Sequence, residues 1–98
     1  MMRTVEEIRR LLKEHAPVLA ERYGVRVVGI FGSYGRGEQH EQSDLDLLVE
    51  YLKPISLLEL VGAELYLSDV LGLRVEMVSR RALRQELRDK ILQEAITV

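Results

Sequence analysis

The apolar positions of this chain change period several times, and each change marks an element. Ile8, Leu11, Leu12, Val18 and Leu19 recur at helical intervals. Thr4 and Glu7 stand before them at the spacing of a capping box, in which each side chain satisfies a free backbone donor. The pattern predicts a first helix that Gly24 ends, kinked or restarted at Pro17, which has no N–H to donate. Val25–Phe31 is short, apolar and β-branched, a buried strand. Residues 32–37, Gly-Ser-Tyr-Gly-Arg-Gly, follow as a glycine-rich turn or short helix, and residues 38–43 read as a polar loop. Along 45–51 the odd positions Leu45, Leu47, Val49 and Tyr51 are apolar, while Asp46 and Glu50 stand at even positions. That alternation gives a second strand with one face in the core. Ser56 and Glu59 repeat the capping-box spacing, and a helix runs from there to about Leu71, with Gly72 at its C-terminal cap. Residues 73–78 predict a third strand. Residues 82–95 predict a last helix with Leu83, Leu87, Ile91 and Leu92 as its stripe. The order α-β-turn/short α-β-α-β-α, with helices packed on one face of a small sheet, is an α+β architecture.

Composition narrows the class. At 98 residues the chain has the size of one domain, and 47% hydrophobic with 31% charged residues is a globular balance. A chain of this length buries roughly 65% of its unfolded surface, enough for one core. With no cysteine there is no disulfide framework, zinc–thiolate site or thiol nucleophile. The apolar runs are too short to span a membrane, and the N-terminal residues lack a signal peptide's apolar stretch, so a cytoplasmic protein is expected. The formal charge of −2 argues against broad phosphate-backbone binding, so direct nucleic-acid binding is not expected. Arg80, Arg81, Arg84, Arg88 and Lys90 crowd the last quarter, and read as a solvated helix face.

The chemistry lies in Gly32-Ser33, a ten-residue gap, and Asp44-Leu45-Asp46. Aspartates at i and i+2 of a strand point to one side, with side chains roughly 6–7 Å apart. That side opposes Leu45 and Leu47. Two carboxylates aimed together repel, and a divalent cation removes the penalty; Mg²⁺ is typically held by one or two carboxylates and substrate phosphates. Glu76 is the lone acid in the third strand, on the face opposite Val75 and Met77 and next to Arg74. If that strand neighbours the second, Glu76 completes a three-carboxylate cluster suited to two metal ions. Glycine at 32 lets backbone approach a phosphate, and the turn's N–H groups and the Ser33 hydroxyl can donate to it. Arg36, one helical turn on, is placed to neutralise a triphosphate. Taken singly, Gly-Ser after a strand is usually a turn, and Asp-Leu-Asp is often surface decoration. Their conjunction with a third-strand acid is what points to a site. His15 and His40 lack partners at metal spacing and are expected at the surface. Tyr34 is a candidate for stacking near a nucleotide.

Gly32-Ser33-x10-Asp44-x-Asp46 resembles the signature of the DNA polymerase beta-type nucleotidyltransferase superfamily. The chain length, with residues 31–37 and 43–49, resembles its minimal nucleotidyltransferases, and the likeness covers nearly the whole chain as one minimal domain, 1–98. The resemblance implies the nucleotidyltransferase fold, a mixed sheet with helices on one side and metal-bound aspartates on the other. It implies transfer of a nucleoside monophosphate, here AMP from ATP, with two Mg²⁺ ions as cofactors and pyrophosphate released. It makes Asp44 and Asp46 metal-binding and catalytic, and Gly32 and Ser33 the triphosphate turn. It also implies an antitoxin paired with a HEPN-domain ribonuclease toxin, whose tyrosine accepts the AMP. The family usually has aspartate where Glu76 stands, one methylene shorter, about 1.5 Å at most. Glu76 is therefore expected to ligate metal or activate the acceptor hydroxyl, at some risk to its alignment. Alternatives are a catalytically weak antitoxin that acts by sequestration, and a transferase with an RNA or small-molecule acceptor.

Overall fold

The computed structural model describes residues 3–98; Met1 and Met2, at the head of the N-terminal stretch read above, lie outside the described residues. The first helix, α1, runs Val5–Val18. Thr4 caps it by accepting a hydrogen bond from the Glu7 amide at 3.1 Å. The Thr4 hydroxyl also meets the Glu7 carboxylate, so only half of the reciprocal box forms. Pro17 sits inside α1, and the helix widens straight after it into a π-helical segment, Leu19–Tyr23. Interruption of the i→i−4 ladder at proline is a recognised cause of such distortion. Gly24 then closes the segment with φ +67°, in the left-handed region glycine favours.

Strand β1 is Val25–Phe31 and β2 is Leu45–Tyr51, both at the expected positions. Between them the glycine-rich run folds into a five-residue helix, α2, Gly32–Arg36. Helix α3, Leu57–Leu71, carries the full capping box predicted at Ser56 and Glu59, and ends on left-handed Gly72. Strand β3 is Val75–Ser79, displaced slightly from the expected 73–78. A 3-10 turn, Arg80–Ala82, takes up the start of the expected last helix, leaving α4 as Gln85–Glu94. A further short strand, β4, Ile96–Thr97, lies where only a chain end was expected.

The sheet order is β3-β2-β1-β4. β1 pairs antiparallel with β2 and with β4, and β2 pairs parallel with β3, so the sheet is mixed. β3 and β2 are joined through α3, the helical crossover that a parallel pair requires. The core gathers Ile8 and Leu12 of α1, Leu19, Val25 and Ile30 of β1, Leu45, Leu47 and Val49 of β2, Ala63, Leu67 and Leu71 of α3, and Val75 and Met77 of β3. α1 and α3 thus cover one sheet face. Asp46, Leu48 and Glu50 alternate onto the other.

The edge of β3 is not left bare. Its Val75 amide donates to the Ser68 hydroxyl at 3.1 Å, and its Met77 amide donates to the Glu64 carboxylate at 2.7 Å. Two side chains of α3 therefore satisfy donors that an edge strand would otherwise expose. This lock holds Glu76 at its register position beside β2.

Candidate active site

Strand register brings the candidate acids together. Asp46 is paired with Glu76 across the parallel ladder and with Phe31 across the antiparallel one. Neighbouring strands lie ~4.8 Å apart, and register partners share a face. Asp46 and Glu76 are therefore next to each other on the face away from α1 and α3. Asp44 joins them just before β2 begins, where the Leu45 amide is anchored to the Arg74 carbonyl at 2.8 Å. Gly32, next along the chain after Phe31, completes the row.

The electrostatics record this crowding. Partial burial, then the charges of Glu76 and Asp44, push the Asp46 carboxyl up to about 6, against a weaker opposing pull from Arg36. Like charges that share a site favour the protonated form in this way. Among the described residues, no three His, Cys, Asp or Glu side chains converge closely enough to cage a metal ion by themselves. The donor set is nonetheless a group of hard carboxylate oxygens on one open face. It suits a cation that takes its remaining oxygens from substrate phosphates and water, as Mg²⁺ does.

Gly32 is required by its surroundings. Its φ is +68°, and a side chain there would collide with the Asp46 carboxylate, whose Cγ would lie 3.1 Å from the added Cβ. Glycine so lets the start of α2 lie directly against Asp46. Ser33, partly buried, follows on the first turn. Arg36 is exposed and acts electrostatically on Asp46, but its guanidinium also meets Glu38 at 3.2 Å and Glu94 at 3.8 Å. It is tethered between α2 and α4 rather than free.

Two expectations need correction. Tyr34 is not available to stack on a nucleotide: it is 1% exposed, inside the core, with burial pushing its hydroxyl pKa up. Its ring belongs to the packing between α2 and β1. His15 is not a solitary surface residue, since its Nδ1 lies 2.6 Å from the Tyr66 hydroxyl, joining α1 to α3. His40 stays exposed, accepting a hydrogen bond from the Gln42 amide. The reading of the sequence also missed a cluster on the same sheet face as the acids, Arg26, Glu50 and Arg80. The Glu50 carboxylate bonds the Arg26 guanidinium across the β1–β2 pair and Arg80 Nη1 at 3.1 Å. The sequence puts Glu50 on the even-position face with Asp46 but reads Arg80 as part of a solvated helix face; Arg80 lies instead in the 3-10 turn after β3 and pairs with Glu50.

Comparison with known proteins gives the family. The family model described as nucleotidyltransferase domain matches residues 12–98. A Thermococcus cleftensis protein named protein adenylyltransferase MntA is 44% identical over 97 residues, 99% of this chain and 98% of that one. A solved structure described as a minimal nucleotidyltransferase is 41% identical, with a TM-score of 0.80 over 98% of this chain and 97% of the other. A complex of a tri-AMPylated Shewanella oneidensis HEPN toxin with its MNT antitoxin is alike in fold alone, at 18% identity and a TM-score of 0.59 over 94% of this chain and 66% of that one. The mixed sheet, the glycine-led turn against Asp46 and these matches together place the chain in the nucleotidyltransferase domain family, as an enzyme of nucleotidyl transfer whose relatives are named protein adenylyltransferases.

Proposed function

We propose that this chain transfers AMP from ATP to a hydroxyl, and that the acceptor is a tyrosine of a HEPN-domain toxin for which it is the antitoxin. The observation that carries the reading is the in-register pair Asp46–Glu76, flanked by Asp44 and abutted by Gly32 on an open sheet face. The name of the Thermococcus relative and the AMPylated toxin in the Shewanella complex support the choice of AMP and of partner.

Asp44 and Asp46, with Glu76, would hold two Mg²⁺ ions, which supply charge neutralisation of the triphosphate and polarise its α-phosphoryl oxygens. The amides of the Gly32–Ser33 turn and the Ser33 hydroxyl donate to the outer phosphates. Arg36 adds positive charge beside them. Glu76 accepts the proton of the attacking hydroxyl. A bond forms from the acceptor oxygen to the α-phosphorus, the bond to the bridging oxygen breaks opposite it, and pyrophosphate leaves. Catalysis is chiefly positioning and charge stabilisation. Residues 1–98 form one minimal domain, and the partner protein completes the acceptor side.

The test is AMP transfer from α-labelled ATP with Mg²⁺ to a co-purified HEPN partner. Wild-type protein labels the partner, and Asp44→Asn with Asp46→Asn reduces labelling by at least about 10³-fold, as loss of electrostatic groups at a reacting phosphate does, while the variant keeps its fold by circular dichroism. Full labelling by the double variant would sink the assignment. A stable complex without label from the wild type would favour neutralisation by binding alone.

A further inference from the structure

The sheet face that carries the acids continues away from them and ends in positive charge. Asp46, Leu48 and Glu50 succeed one another on that face of β2, and Glu76 and Val78 do so on β3, with Arg80 just beyond its end. One depression of about 380 Å³ is bordered by Arg26, Leu48, Arg80 and Leu92. A second, of about 290 Å³, is bordered by Glu50, Tyr51, Ser79, Arg80 and Arg81. Arg80 is common to both. Glu50 is the acid that meets Arg26 and Arg80, and it serves both guanidinium groups, so one positive charge is left over. Arg81 is exposed and forms no ion pair among the described residues.

In-line transfer fixes which substrate lies on this side. Across the sheet the order is Gly32 at the end of β1, Asp46 on β2 and Glu76 on β3. If Gly32 and Ser33 grip the leaving phosphates, the attacking hydroxyl approaches from the opposite side, over Glu76. A polypeptide that delivers this hydroxyl and follows β3 passes Val78, which is half-buried, and keeps to the side of Leu48, which is fully buried. It reaches Arg80 after four residues, ~13 Å at strand rise. An extended acceptor segment spans the same distance in about four residues.

Resting on the transferase reading above, we propose that Arg80, with Arg81 and Arg26, binds a carboxylate of the acceptor polypeptide. The enzyme thereby selects acceptors whose reacting hydroxyl lies about four extended residues from an acidic side chain. The arginines touch neither nucleotide nor reacting atoms, and act as specificity-determining residues. The acids at one end of the face repel an acidic segment placed out of register, which adds discrimination.

The experiment measures fluorescence anisotropy of labelled peptides on the full chain with Mg²⁺ and a non-hydrolysable ATP analogue. Each peptide has a central tyrosine, and glutamate, alanine or lysine at four and five residues on both sides. The glutamate peptide binds at least tenfold tighter than the lysine peptide, and the preference shrinks as salt is raised. Arg80→Glu with Arg81→Glu reverses the order, Arg80→Gln levels it, and neither variant alters the affinity for the ATP analogue. Equal binding of the three peptides, no binding of the glutamate peptide, or an unchanged preference in the variants overturns the proposal. Failure of the wild type to bind the ATP analogue would instead count against the transferase reading, so the two failures are separable.

Discussion

Asp46 is the residue where stability and chemistry pull apart. Burial and two neighbouring carboxylates hold its carboxyl at about 6 in the folded chain. A raised carboxyl pKa means that the fold prefers the protonated form. Its contribution to stability is whole below about pH 4 and is lost as pH rises through about 6. A shift of that size corresponds to at most about 3 kcal/mol, and solvent screening at this partly exposed group leaves about 1–2 kcal/mol. Asp46→Asn, which cannot ionise, should therefore stabilise the protein in EDTA by about 1 kcal/mol near pH 8, and by nothing measurable below about pH 4. Urea unfolding at the two pH values checks this; an equal effect at both would show that the neighbouring acids do not act on Asp46. The identity of this residue was legible in the sequence, because the Asp-Leu-Asp alternation fixes the face. Its neighbour was legible only conditionally. Glu76 stands beside Asp46 because β3 pairs parallel to β2 in that register, and strand order is a tertiary fact that no local spacing encodes. Tyr34 shows the opposite error. A tyrosine in a glycine-rich turn beside the candidate acids invites a stacking role, yet the ring fills the core with Ile30.

At the scale of elements, local signals were enough wherever a cap or a period dictated the outcome. Ser56 with Glu59 starts α3, Gly72 ends it, and the apolar odd positions of 45–51 make β2, as the sequence implies, although Leu48 at an even position is buried as well. The signals failed at the C-terminal end. The Leu83–Leu92 stripe promised an amphipathic helix, but α4 buries none of its residues fully, and Leu87 remains 50% exposed. β4 is two residues long and exists because β1 offers Gly29 and Ile30 as an open antiparallel edge. Nor could the sequence reveal what guards the other edge, β3, where Glu64 accepts the Met77 amide. A hydrogen bond to a charged acceptor is worth about 1.5–3 kcal/mol, and a stranded amide costs a similar amount. Glu64→Ala should destabilise the chain by about 2 kcal/mol, whereas Glu64→Gln, which keeps an acceptor oxygen, should lose less than half of that. Chemical denaturation of the two variants decides it. Equal losses would mean that the carboxylate's packing, not its hydrogen bond, secures β3 and hence the place of Glu76.

At the scale of the whole molecule, one sheet face is committed to stability, and the other carries charge at its two ends with Leu48 buried between them. α1 and α3 bury the first face. On the second, carboxylates gather at the end near α2 and arginines at the end near Arg80, and the near-balanced formal charge of −2 hides this separation. Sequence totals could exclude a uniformly basic surface, but they could not show two opposed poles on a single face, because the poles are assembled from residues far apart in the chain, Asp44, Asp46 and Glu76 at one end and Arg26 and Arg80 at the other. The acidic pole is a liability until positive charge arrives. A ligand that binds only the folded chain stabilises it by about 2.7 kcal/mol at a hundredfold excess over Kd. For a domain of this size, that raises Tm by roughly 10–20 °C at about 4–8 °C per kcal/mol. Mg²⁺ with ATP should produce such a shift in the wild type at neutral pH, and EDTA should reverse it. Asp44→Asn with Asp46→Asn should begin from a higher Tm, because the repulsion is gone, and should gain little from Mg²⁺ and ATP. Scanning calorimetry with and without the ligand separates the two effects. A double variant that starts no higher than the wild type would mean that the acidic pole costs the fold nothing. One that still gains the full shift would place the nucleotide elsewhere on the molecule.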